Sequence, residues 1–109
     1  MKLAVDTNVL VRAVVADDPV QARIAAKVLK EADLIAIALP SLCELVWVLR
    51  RVYGFQFSDA ASAIRALLAS ANVEMNRPAV EAGLAVLEAG GDFADGVIAY
   101  EGYWLGGAQ

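Results

Sequence analysis

An α/β fold with a parallel central sheet is predicted by three features of this 109-residue sequence. Two short apolar runs, residues 2–5 and 34–39, are each cut off by polar or turn-forming residues, as buried strands are. Longer segments with apolar residues at helical spacing lie between and after them, and strands alternating with helices imply parallel pairing in layers. The composition agrees: 60% of the residues are hydrophobic, which fits a sheet covered on both faces.

Taken in order, the first run ends at Asp6, and Val9, Leu10, Val11 and Val14 then continue as a helix that weakens at Asp17-Asp18-Pro19. Asp18 as N-cap with Pro19 at the first helical position starts a second helix. Its apolar stripe is Val20, Ile24, Val28 and Leu29, with Arg23, Lys27 and Lys30 facing out. After Asp33, residues 34–39 form the second strand, closed by Pro40. Ser41 with Glu44 three positions on reads as a capping box for a third helix through Leu45, Val46, Leu49 and Val52 to Gly54. Arg50 and Arg51 in its last turn suit the helix dipole.

Ser58 caps a fourth helix containing Ile64, Leu67 and Leu68, and residues 73–75 make a short third strand. Pro78 opens a fifth helix through Val80, Leu84 and Leu87, closed by Gly90-Gly91. Asp92 caps the last helix, which Gly102, Gly106 and Gly107 interrupt. The chain reads as one domain over residues 1–109, without repeats or linkers.

Several function classes are excluded at once. The longest apolar stretch, residues 34–43, lies between Asp33 and Glu44 and is broken by Pro40, whereas a membrane-spanning helix needs about 20 apolar residues. No secretory leader forms before Asp6, and Cys43 is the single cysteine, so a cytoplasmic protein without disulfides is expected. Nine basic against thirteen acidic residues leave a net charge of −4, which argues against binding nucleic acid by bulk charge neutralisation. Histidine is absent, which removes Ser-His-Asp chemistry and imidazole-ligated zinc and leaves carboxylates to do the work.

Asp6 ends the first strand, Glu44 lies in the first turn after the second, and Asp92 and Asp95 open the last helix. In a parallel sheet with right-handed crossovers these positions share one edge. Each acid singly is explained as a helix cap or first-turn acid. Together they would repel one another without a cation, and an all-oxygen donor set suits Mg²⁺ or Mn²⁺. Such ions can orient a water and stabilise both oxygens of an in-line phosphoryl displacement. Thr7 serves as an auxiliary donor or as a simple cap.

Three segments carry a resemblance: Val5-Asp-Thr-Asn-Val-Leu10, Leu39-Pro-Ser-Leu-Cys-Glu-Leu-Val-Trp-Val-Leu-Arg-Arg-Val-Tyr53, and Asp92-Phe-Ala-Asp-Gly-Val-Ile-Ala99. In order and spacing they resemble PIN-domain toxins of the VapC type, the ribonuclease halves of toxin–antitoxin pairs. The resemblance implies a three-layer α/β/α sandwich and an Mg²⁺- or Mn²⁺-dependent endoribonuclease. It also implies a homodimer and a VapB-type antitoxin whose tail covers the acidic crevice. Carried over by position, Asp6, Glu44 and Asp95 are the catalytic and metal-holding acids, with Thr7 and Asp92 auxiliary. Similar proteins continue into a further strand ending in an aspartate, often Thr-Phe-Asp, where this chain has Tyr103-Trp-Leu-Gly-Gly-Ala-Gln. The expectation is therefore a C-terminally truncated form with its last strand missing. It would have reduced or no activity, or would act as a non-catalytic antitoxin binder, and its open strand edge would seek a partner.

An aspartyl-phosphate phosphatase or receiver domain also places an acid at a strand end. Position 8 is Asn where the phosphatase needs a second aspartate, and a receiver's paired acids are missing after the first strand. Trp47 and Tyr53 read as core or dimer-face aromatics, Cys43 as a small buried hydrophobe, and Arg12 as a solvated arginine.

Overall fold

The structure is a computed structural model that describes residues 2–104, with Trp104 described in its backbone only. The order is β1 (Lys2–Ala4), α1 (Thr7–Val15), α2 (Pro19–Glu31), β2 (Leu34–Ala36), α3 (Leu39–Arg51), α4 (Phe57–Ala69), β3 (Val73–Glu74), α5 (Arg77–Glu88) and α6 (Phe93–Trp104). The three strands form one parallel sheet in the order β1-β2-β3. Leu3 sits beside Ile35, and Ile35 beside Val73. Val5 N–H donates to the Ala36 carbonyl and Ile37 N–H to that of Glu74, carrying the ladder past the assigned strand ends. This is the expected α/β class, with the three strands and six helices consistent with a three-layer sandwich.

One core joins sheet and helices. Val5, Ile35, Ile37 and Val73 point into it from the strands, and Leu10, Leu42, Leu45, Leu49, Ile64, Leu84, Leu87 and Phe93 meet them from the helices. The alternate strand positions Ala4, Ala36 and Glu74 are exposed. The run at residues 34–39 is thus apolar throughout but only half of it is core. Its outward positions are Leu34, Ala36 and Ala38, which an apolar count does not separate from core residues. Among the described residues, β1 has a hydrogen-bonded neighbour on one side only.

Local chemistry explains most element ends. Asp18 accepts from the amides of Val20 and Gln21 ahead of Pro19, as expected for α2. Asn76 caps α5 by accepting from Ala79 N–H, so the helix begins at Arg77, one residue before Pro78. Gly54 after α3 and Gly90 after α5 adopt φ of +69° and +92°, where a side chain would be strained. The side-chain amide of Asn72 donates to the carbonyls of Leu29 and Ala32, tying the end of α2 to β3.

Four expectations are corrected. The Ser41–Glu44 capping box is not made: α3 begins at Leu39, with Pro40 in its first turn and no side-chain cap bond, so Ser41 already lies inside the helix. Proline has no amide to satisfy there, so the earlier start costs little. Ser58 is likewise inside α4, which starts at Phe57 behind Gln56 without a side-chain cap. The stripe Val20, Ile24, Val28 faces solvent, because α2 seats itself through Ala25, where a small residue allows close approach, and through half-buried Leu29. Trp47 and Tyr53 are exposed, Trp47 at 58%, which removes the core half of their expected role and leaves the dimer-face half open.

The last helix runs through to Trp104 despite Gly96 and Gly102. Gly106 and Gly107 lie outside the described residues, as does any strand expected beyond the helix. No helix among the described residues is long and apolar enough to cross a membrane.

Candidate active site

The candidate site lies at the carboxyl edge of the sheet, where β1 and β2 hand over to α1 and α3. Ala4 pairs with Ala36, so the two strands end level. Asp6 and Thr7 then leave β1 as the residues preceding α3 leave β2. Thr7 is 93% buried, and its Oγ1 donates to the Ser41 carbonyl at 3.4 Å. That bond is long, and its interest is positional. It ties the first turn of α1 to the first turn of α3, one turn before Glu44. Thr7 is therefore a strut between helix starts rather than a free donor.

Asp6 has extended backbone (φ −86°, ψ 171°) and caps α1, its Oδ1 accepting from Val9 N–H at 3.2 Å. Asp92 caps α6 in the same manner, accepting from Ala94 N–H at 3.0 Å. Asp95 follows in the first turn of α6, and Glu44 stands on the outer side of α3. All four acids are exposed.

The position of α6 is set by close packing on α5. Gly96 lies against the Ala82 carbonyl and Gly83, and Gly83 in turn makes room for Phe93 and Val97. Phe93 and Val97 are buried there. Small residues at the crossing let the two backbones approach, and this contact fixes where the acidic end of α6 sits.

Cys43 reports the electrostatics between α3 and α6. Its thiol is pushed above the ordinary range, first by burial and then by the negative charges of Asp92 and Glu101; a hydrogen bond at its own backbone opposes them. The start of α3 thus sits in the field of two carboxylates from α6. Glu101 has no counterpart in the sequence reading, because it lies past the recognisable Asp95–Ala99 pattern and has no spacing signature. A raised thiol pKa means that Cys43 keeps its proton to higher pH than a free thiol does. Iodoacetamide should therefore modify Cys43 several-fold more slowly at neutral pH than free cysteine, with the rate profile displaced to higher pH. An ordinary profile would mean that neither burial nor the α6 acids act on it.

The donor set is entirely oxygen, which suits a hard divalent cation in ligand chemistry. The structure brings the start of α1, capped by Asp6, against the first turn of α3; Glu44, expected in that first turn, lies one turn further on because α3 begins at Leu39, and Asp92 is set near Cys43. It does not gather the acids into a closed set: among the described residues, no three His, Cys, Asp or Glu side chains form a group that could hold a metal ion. Asp6 and Asp92 each have one carboxylate oxygen turned onto an amide of their own helix.

Searches of curated proteins and of solved structures gave no match to this chain. The family described as PIN domain matches residues 3–100, from β1 to Tyr100 in α6. PIN domains are generally nucleases, and those nucleases usually use divalent metals. With nearly its whole length matched, and with its acids on strand ends and helix starts, the chain belongs to the PIN-domain family.

Proposed function

We propose that this PIN domain is a Mg²⁺- or Mn²⁺-dependent endoribonuclease toxin of the VapC type, the toxic half of a type II toxin–antitoxin pair. The observation that carries the reading is the contact of buried Thr7 with the Ser41 carbonyl, which places the start of α1, capped by Asp6, beside the first turn of α3, one turn before Glu44. Asp6, Glu44 and Asp95 would hold the metal, with Asp92 as auxiliary acid and Thr7 as the strut behind Asp6. When bound, the divalent ion would activate water and neutralise charge on the scissile phosphate. For the chain's own part, Asp6 and Asp95 would turn from helix start toward the ion, while buried Thr7 keeps the α1 and α3 starts from separating. A VapB-type antitoxin and a second copy of the chain are the proposed partners, in the cytoplasm.

A second reading is favoured by one observation: the acids do not form a ready three-ligand group among the described residues. In it the chain is a non-catalytic form that engages the antitoxin without cutting RNA. One assay separates the two. Purified protein incubated with structured RNA should produce defined cleavage with Mg²⁺ or Mn²⁺ and none with EDTA. Cleavage that persists in EDTA, or no cleavage with either ion while antitoxin binding is intact, overturns the nuclease reading.

A further inference from the structure

A cleft of about 250 Å³ opens beside the acidic end of α6, lined by Trp47, Arg50 and Arg51 of α3, Phe57 of α4, and Gly91 and Asp92 before α6. Its cationic wall is built rather than incidental. The Arg50 guanidinium lies 3.7 Å from the centroid of the Phe57 ring, and its Nη1 donates to the Phe55 carbonyl. Arg50 is thereby half-buried and held in one place. Arg51 is exposed and has no ion-pair or hydrogen-bond partner among the described residues. Trp47 is 58% exposed, a large aromatic surface left in water.

Helical spacing links these residues to the candidate site. Glu44, Trp47 and Arg51 stand at i, i+3 and i+7, so they share one side of α3, and all three are exposed. That side carries, over about 10 Å of helix axis, an acid, then an aromatic plane, then a cation. A single RNA strand matches the last two, a base with a π-face and then a phosphate, while Glu44 would meet the preceding phosphate only through the divalent ion of the nuclease reading. Stacking on aromatics beside a basic groove is how unpaired nucleic acid is held without sequence reading. With a net charge of −4 the chain has no bulk attraction for RNA, so binding would depend on local contacts such as these.

We propose that Trp47 and Arg51, backed by the fixed Arg50, form a subsite for one unpaired nucleotide of the RNA strand next to the cleaved bond. The proposal rests on the nuclease reading for the identity of the ligand, and it assigns the substrate at this point as single-stranded. Trp47 stacks on a base, and Arg51 meets the phosphate that follows it.

The test uses the full chain carrying Asp6→Asn, which keeps the RNA intact, titrated in Mg²⁺ with an unstructured RNA oligonucleotide. Trp47→Ala should weaken binding about tenfold or more, while Trp47→Phe restores most of it. Arg51→Ala should weaken binding and flatten its salt dependence by about 0.7 in log–log slope. The same substitutions in the otherwise unaltered chain should raise KM for cleavage and leave kcat nearly unchanged. Equal affinity in all variants overturns the subsite, as does weakening that tracks only the loss of a dimer in sedimentation. The two ideas separate cleanly. Absent cleavage with Trp47-dependent binding sinks the nuclease and keeps the subsite, whereas Mg²⁺-dependent cleavage with unaltered KM does the reverse.

Discussion

Asp6→Asn should lower Mg²⁺-dependent RNA cleavage by at least about 100-fold while changing stability by less than about 0.5 kcal/mol. The two effects divide because Asp6 has two jobs. As a cap it accepts from Val9 N–H, and Asn is as good an N-cap as Asp. As a proposed metal ligand it supplies a negative charge that Asn lacks. Charge stabilisation by a bound cation is worth several kcal/mol, and each 1.4 kcal/mol is tenfold in rate. Asp6→Ala should lose cleavage equally and also cost about 1 kcal/mol, because Val9 N–H then loses its partner. Paired kcat/KM and urea-unfolding measurements read both quantities on the same preparations. Full cleavage by the Asn variant would leave Asp6 as a cap and nothing more.

The fold class was legible because its signals are local. Asp18-Pro19 and Asp92 act on amides within three residues, and the structure places those caps where the residues predict them. Ser41 and Glu44 show how such a signal misleads. The pair has the right residues at the right spacing, yet α3 starts three residues earlier, behind Ala38, because Pro40 suits a first turn as well as a serine suits a cap. The stripe on α2 was misread for a different reason. Helical spacing places Val20, Ile24 and Val28 together, but the side of α2 that is buried is the one carrying Ala25 and half-buried Leu29.

The candidate site was legible in its residue types and in its edge of the sheet, and less so in its partners. Thr7 reads as a cap or donor in the sequence, but its partner lies 34 residues away. Arg50 reads as a helix-end cation, yet its fixed position depends on Phe55 and Phe57 in the next element. No local pattern carries such contacts. The field of Glu101 on Cys43 is of the same kind, since it exists only once α6 lies along α3.

Gly96→Ala should destabilise the protein by about 2 kcal/mol or more, although alanine is the better helix former. Propensity favours the substitution by about 1 kcal/mol. Against it, a Cβ at position 96 would stand 2.5 Å from the Ala82 carbonyl oxygen and 2.8 Å from Gly83 Cα. Both are backbone atoms of α5, so no side chain can swing aside and the helices must part. Overpacking typically costs 1–3 kcal/mol even where side chains give way, so the steric term wins. Gly102→Ala supplies the opposite case on the same helix. Nothing lies within 4 Å of its added Cβ, so that variant should gain up to about 1 kcal/mol. Urea midpoints for the two variants should therefore move in opposite directions. Because Asp95 adjoins Gly96, the first variant should also lose RNA cleavage at temperatures where it remains folded, while the second keeps it. If Gly96→Ala proves neutral or stabilising, the α5–α6 crossing is looser than its geometry indicates, and it does not fix the position of Asp95.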